Sequence, residues 1–113
     1  MTNQISNNGK TVAIVSYITW IGWIVAFVLN SSNKTSLGFF HLRQSGFIHI
    51  LFAALSLISF VFRGVGLISV LVGIAYVLLL ILAIIGLVSA LNGEEKKVPF
   101  IGDMAQNILS GLQ

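Results

Sequence analysis

The chain is 113 residues long, enough for one domain, with 57% apolar and only 8% charged residues. A soluble domain carries about 25% charged residues, and a small one needs more polar surface rather than less, so lipid must be the solvent for most of this chain. The net charge of +3 is scattered over Lys10, Lys34, Arg43, Arg63, Lys96 and Lys97, each near the end of an apolar run. That spread excludes a nucleic-acid surface and suits cations that flank a bilayer, and a cysteine count of 0 excludes disulfides and thiolate chemistry.

In chain order, residues 1–10 read as a mobile polar arm of Thr, Asn, Gln and Ser. Thr11 to Leu29 holds no charge and predicts a first membrane-spanning helix of about 28 Å. The alternative, a signal peptide, would have Lys10 alone as its basic region and no small-residue cleavage site before Asn30-Ser31-Ser32-Asn33. Gly46 to Phe62 predicts a second span and Val65 to Leu91 a third, the latter about 40 Å long and therefore tilted. Only Arg63-Gly64 separates them, so they form a tight antiparallel hairpin whose turn reaches the interface at Arg63.

The expected fold is thus an all-α integral membrane protein of three transmembrane helices, with a membrane domain over 11–91 and a cytoplasmic tail over 92–113. With three spans, the N-terminus and the Arg63 turn share one side, and the 30–45 connection and the tail share the other. Lys34, Arg43, Lys96 and Lys97 outnumber Lys10 and Arg63, which places the C-terminus in the cytoplasm and the N-terminus outside a bacterial inner membrane. In the tail, Asn92-Gly93 stops the third helix. Beyond it, Ile101, Met104, Ala105, Ile108 and Leu112 recur at helical spacing, predicting a short amphipathic helix on the interface above the start of the second span.

The most unusual stretch opens the second span. With Ser36 as an N-cap, a helix places His41, Ser45 and His49 on one stripe with Gln44 beside it, while Arg43 falls on another side between Phe39 and Phe47. One reading turns this stripe toward other helices or a water-filled path, where histidine serves as a proton-responsive or substrate-contacting group. The other makes these interfacial residues, hydrogen-bonded to headgroups, water or the tail. His41 and His49 stand about 12 Å apart along a helix, too far to share an ion within one chain.

Small residues recur four apart at Gly22 and Ala26, Ser69 and Gly73, and Gly86 and Ala90, spacings that let helices approach closely within one chain or between copies. Tyr17, Trp20 and Trp23 read as packing residues of the first span. All three acids lie in the tail, and no nucleophile elbow, phosphate loop or zinc-protease motif is present, so neither enzyme activity nor a cofactor is expected.

Phe40-His41-Leu42-Arg43-Gln44-Ser45 and Val98-Pro99-Phe100-Ile101-Gly102-Asp103-Met104-Ala105 resemble motifs of the Tic-twenty-like family, chloroplast inner-envelope import components and their small bacterial relatives. The resemblance runs from about Lys10 to Leu109. It implies a part in protein transport and singles out His41, Arg43 and Gln44 in the first motif, with Pro99, Gly102 and Asp103 in the second. The plastid proteins are held to have four helices, where this chain predicts three. Together these readings describe a small membrane protein acting by association, as a homo-oligomer or an accessory subunit of another membrane protein. An oligomeric pore, import-channel-like or holin-like, is the alternative.

Overall fold

The computed structural model describes the backbone of residues 2–112 and the side chains of residues 9–112. The described chain is all-helical: α1 (Thr2–Ile18), α2 (Trp20–Ser32), α3 (Ser36–Val61), α4 (Gly66–Leu91) and α5 (Gly102–Ile108). The arm assigned to residues 1–10 coincides with the first half of α1, and most of its side chains lie outside the described residues.

The predicted first span is not one helix. Thr19 is extended, at φ −152° and ψ 173°, and breaks the run into α1 and α2. Its hydroxyl accepts a hydrogen bond from the Gly22 amide at 3.0 Å, the interaction expected of a threonine N-cap. The two helices fold back on each other. A Cβ on Gly9 would lie 3.0 Å from the Thr35 hydroxyl, and the same Thr35 donates to the Asn30 side chain at 2.8 Å. A continuous helix would hold Gly9 and Asn30 about 32 Å apart. Gly22 permits the tight bend, because a Cβ there would sit 2.6 Å from the Val15 carbonyl.

Thr35, one residue before the expected Ser36, caps α3 by accepting from the Gly38 amide at 3.0 Å. Helix α3 then runs unbroken through Gly46 to Val61, about 39 Å. Gly64, at φ +93°, turns the chain in the left-handed region that glycine adopts without steric cost, and α4 returns antiparallel. Helices α3 and α4 are each long and apolar enough to cross a membrane; α1 from Gly9 and α2 are shorter apolar helices.

Two small cores hold the helices together. Ala13 and Tyr17 of α1 pack with Ile48, Leu79 and Ala90, while Val12 and Ala26 pack with Leu42. The α1–α2 pair reaches only partway along α3: its tip lies near His49, whose Nε2–H donates to the Ser16 carbonyl at 2.9 Å. Beyond that level, among the described residues, α3 and α4 have only each other, joined by the Ser56–Tyr76 hydroxyl pair at 2.8 Å and the stacked rings of Phe52 and Tyr76. The start of α1, the α2–α3 link, the end of α4 and the tail therefore gather at one end, and the Arg63 turn stands alone at the other. The expected orientation rests on a full first span, and that stretch is two helices here, separated at Thr19.

Candidate functional site

Polar side chains concentrate where α1, α3 and the tail meet. Helix α3 supplies His41, Gln44 and Ser45, all fully buried, and α1 supplies Tyr17 and Ser16. The hydrogen-bond roles follow from the one group that can only accept. His41 Nε2 lies 2.7 Å from the Glu94 carbonyl, so Nε2 carries a proton. Neutral His41 then accepts at Nδ1 from the Tyr17 hydroxyl, 2.6 Å away, and that hydroxyl accepts in turn from Gln44 Nε2 at 2.8 Å.

Gln44 completes the tie to the tail. Its Oε1 accepts from the Val98 amide at 2.9 Å and its Nε2 also reaches the Lys96 carbonyl at 3.4 Å. Ser89, buried near the end of α4, donates to the Glu94 carbonyl at 2.9 Å and accepts from the Lys96 amide at 3.2 Å. The irregular strand from Glu94 to Val98 thus finds partners for its backbone among side chains of α3 and α4, where a buried unpaired amide or carbonyl would cost about 1–3 kcal/mol. Ser45 donates to the His41 carbonyl at 2.6 Å within α3.

Arg43 leaves α3 on another side, as its spacing predicts, and meets α5. Its Nε donates to Gln106 Oε1 at 2.6 Å and its Nη1 to the Leu112 carbonyl at 2.8 Å, while Gln106 Nε2 donates to the Phe40 carbonyl at 3.0 Å. Helix α5 therefore lies over the start of α3. Its inner face is Ala105 with the partly covered Ile101 and Leu109, while Met104 and Ile108 of the predicted apolar face point outward. The tail motif is a packing device. A Cβ on Gly102 would lie 2.7 Å from the Lys97 Cβ, and Asp103 pairs with Lys97 at 2.7 Å. Pro99 is exposed beside α4.

The small-residue pairs divide. Gly86 and Ala90 are buried against α1, with Gly86 facing the Tyr17 ring, and Ala26 is buried in the second core. Ser69 and Gly73 face outward, and nothing lies within 4 Å of a Cβ on Gly73. Tyr17, Ser89 and Asn30 were missed as site residues. The signal for Tyr17 was a phenol in mid-run two residues before Thr19, a polar pair that a lipid-facing helix has no use for. His41 and His49 contact different partners, and among the described residues no group of three or more His, Cys, Asp or Glu could hold a metal ion.

A half-depth helical hairpin leaning on a long one, with a polar tail laced back across their shared end, defines a small helical protein of membrane type. Residues 8–105, most of the chain, match the family model of MamF/MmsF, the magnetosome magnetite crystal formation protein family, and the chain belongs to this family. No curated protein and no solved structure matches it. The family match overturns the Tic-twenty-like resemblance and the protein-import role drawn from it. The residues that carried that resemblance, His41, Arg43, Gln44, Gly102 and Asp103, bind the tail to α3 or fold it on itself. These contacts are packing contacts within the chain.

Proposed function

We propose that this chain is a multi-pass bacterial membrane protein that works by association, as a homo-oligomer or accessory subunit of an assembly serving magnetite crystal formation, and without catalysis of its own. The observation that carries this reading is the bare outer half of the α3–α4 hairpin. From Ser56 to Leu67 every residue is exposed, and the outward face of α4 continues through Ser69 and Gly73. Small residues facing outward let a neighbouring helix approach closely, where packing replaces the hydrophobic drive that lipid removes. The chain's acids, Glu94, Glu95 and Asp103, all lie in the tail, and the Arg63 turn carries none, so that turn offers no acidic surface to a mineral or to iron.

Charge supports an orientation with the laced end in the cytoplasm. Lys10, Lys34, Arg43, Lys96 and Lys97 gather at that end and Arg63 alone stands at the other, a stronger bias than three spans would give. A pore lined by His41, Ser45 and His49 is not favoured, because His41 and His49 hydrogen-bond to α1 and the tail and Ser45 to the His41 carbonyl within α3.

Native mass spectrometry of the 12.2 kDa chain in lipid nanodiscs tests association directly. A defined multiple is expected, and Gly73→Leu, which meets no atom within its own chain, should shift it toward monomer by tenfold or so in dissociation constant, about 1.4 kcal/mol. A monomer that also captures no membrane partner on cross-linking would contradict the proposal.

A further inference from the structure

The hydrogen bonds at the laced end form one directed chain. The Val98 amide donates to Gln44 Oε1, Gln44 Nε2 to the Tyr17 hydroxyl, that hydroxyl to His41 Nδ1, and His41 Nε2 to the Glu94 carbonyl. Both ends are backbone groups of the tail, an amide that can only donate and a carbonyl that can only accept. Each of the four gaps between them therefore holds one hydrogen, pointing from Val98 toward Glu94.

A proton added to this chain enters at His41 Nδ1, where it faces the Tyr17 hydroxyl across 2.6 Å. The hydroxyl must then turn its own hydrogen away, and the group beside it is Gln44. Turning the Gln44 amide over to accept that hydrogen brings Nε2 against the Val98 amide, so two donors meet. Without that turn the Tyr17 hydrogen lacks an acceptor in a site where His41 and Gln44 are fully buried. Either way the closed network has no place for the extra hydrogen, and parting the tail from α3 provides one by admitting water.

The surrounding charges do not supply the missing acceptor. Lys10 of α1 lies beside Gly93, and the tail brings Glu94, Glu95 and Lys96. Glu95 attracts a charged imidazole through space, but its carboxylate takes the Ser36 hydroxyl at 2.8 Å. Arg43 of α3 points to Gln106 and the Leu112 carbonyl, and Asp103 of α5 pairs with Lys97. Helices α2 and α4 carry no charged side chain. The chain's second histidine is an internal contrast: His49 Nε2 donates to the Ser16 carbonyl at 2.9 Å, and charging that ring leaves the bond as it is.

We propose that the tail is a proton-released latch, in which charging of His41 frees the segment from Glu94 to Val98 while the α3–α4 hairpin stays in place. The latch is independent of the association proposed above, because Ser69 and Gly73 lie toward the other end of α4.

The test is hydrogen exchange, read by mass spectrometry, of the full chain in lipid nanodiscs between about pH 8 and about pH 5, a range that brackets the ordinary histidine value of about 6.5. Parent, His41→Gln and His49→Gln are compared at each pH, so that the intrinsic pH dependence of exchange cancels. With the tail released His41 meets water and charges as an ordinary histidine, so closure is at full strength above about pH 6.5 and weakens below it. Exchange at 94–98 in the parent should rise relative to His41→Gln by up to about tenfold per pH unit below that point, with the α3–α4 hairpin unchanged. His49→Gln should keep the rise. Glu95→Gln, which retains an acceptor for Ser36, should keep it too and so excludes that carboxylate as the trigger. Should His41→Gln fail to fold, nitrogen NMR of the histidine-labelled parent reads the same event: His41 should hold its proton on Nε2 until the segment opens, and charge with it. A histidine that charges while 94–98 stays protected, a rise that survives His41→Gln, or one that disappears in His49→Gln would each overturn the proposal.

Discussion

Replacing Gln44 by leucine is expected to free the tail from the helices. Leucine matches the apolar volume of the amide but leaves the Val98 amide without its acceptor and the Tyr17 hydroxyl without its donor. Each buried group so orphaned costs about 1–3 kcal/mol, and an overall loss of about 3 kcal/mol follows. The effect should concentrate where the bonds are. Limited proteolysis should cut between Glu94 and Ile101 far sooner than in the parent chain, while the α3–α4 hairpin stays inserted. Gln44→Glu separates charge from shape: it keeps the acceptor for Val98 but loses the donor to Tyr17, and should fall between the two. Equal protection of the tail in all three proteins would remove the network from the account.

Gly86→Leu should be about as damaging, for a different reason. A Cβ at Gly86 would stand 2.7 Å from one ring carbon of Tyr17 and 2.8 Å from its hydroxyl oxygen. The ring cannot swing away without breaking its bonds to His41 and Gln44. Overpacking of a filled core costs about 1–3 kcal/mol, and more where the neighbour is pinned. Even Gly86→Ala should lower the thermal midpoint in detergent. Pairing it with Tyr17→Leu should cost less than the two single changes added together, because the second change removes the atoms the first one meets. Simple additivity would mean that α1 and α4 do not pack at this point.

Much of the long hairpin was legible in residues alone. The charge-free runs on either side of Arg63-Gly64 gave both helices and the turn, because length and apolarity suffice where lipid is the solvent. The break at Thr19 was not legible in that way. Threonine is tolerated within an apolar helix, and the run from Thr11 to Leu29 has the length of a span, so length argued for one helix where capping chemistry made two. What decided the matter is long-range: Thr35 must touch both Gly9 and Asn30, and a single sequence does not show that.

The site was legible in part. Helical spacing put His41, Ser45 and His49 on one stripe and Arg43 on another, as found, but it could not say what the stripe faces. Two of its partners are backbone carbonyls, of the tail at Glu94 and of α1 at Ser16, and carbonyls have no sequence signature. The tail motif was noticed through resemblance to the wrong family. Its reason is steric at Gly102 and ionic at Asp103, both seen only once Lys97 is known to lie against them.

Because α1 and α2 fold back at Thr19, the proposed orientation puts the start of α1, the α2–α3 link and the tail on one side of the membrane and the Arg63 turn on the other. A cysteine count of 0 makes the chain ready for single-cysteine labelling. Thr2→Cys, Lys34→Cys, Gly66→Cys and Gly111→Cys would be treated in intact spheroplasts with a membrane-impermeant maleimide. Neither Gly66 nor Gly111 has an atom within 4 Å of an added Cβ. Residue 66 alone should label, with the other three reacting only after lysis. Labelling of residues 2 and 66 together, with 34 and 111 protected, would restore a full first span and contradict this orientation.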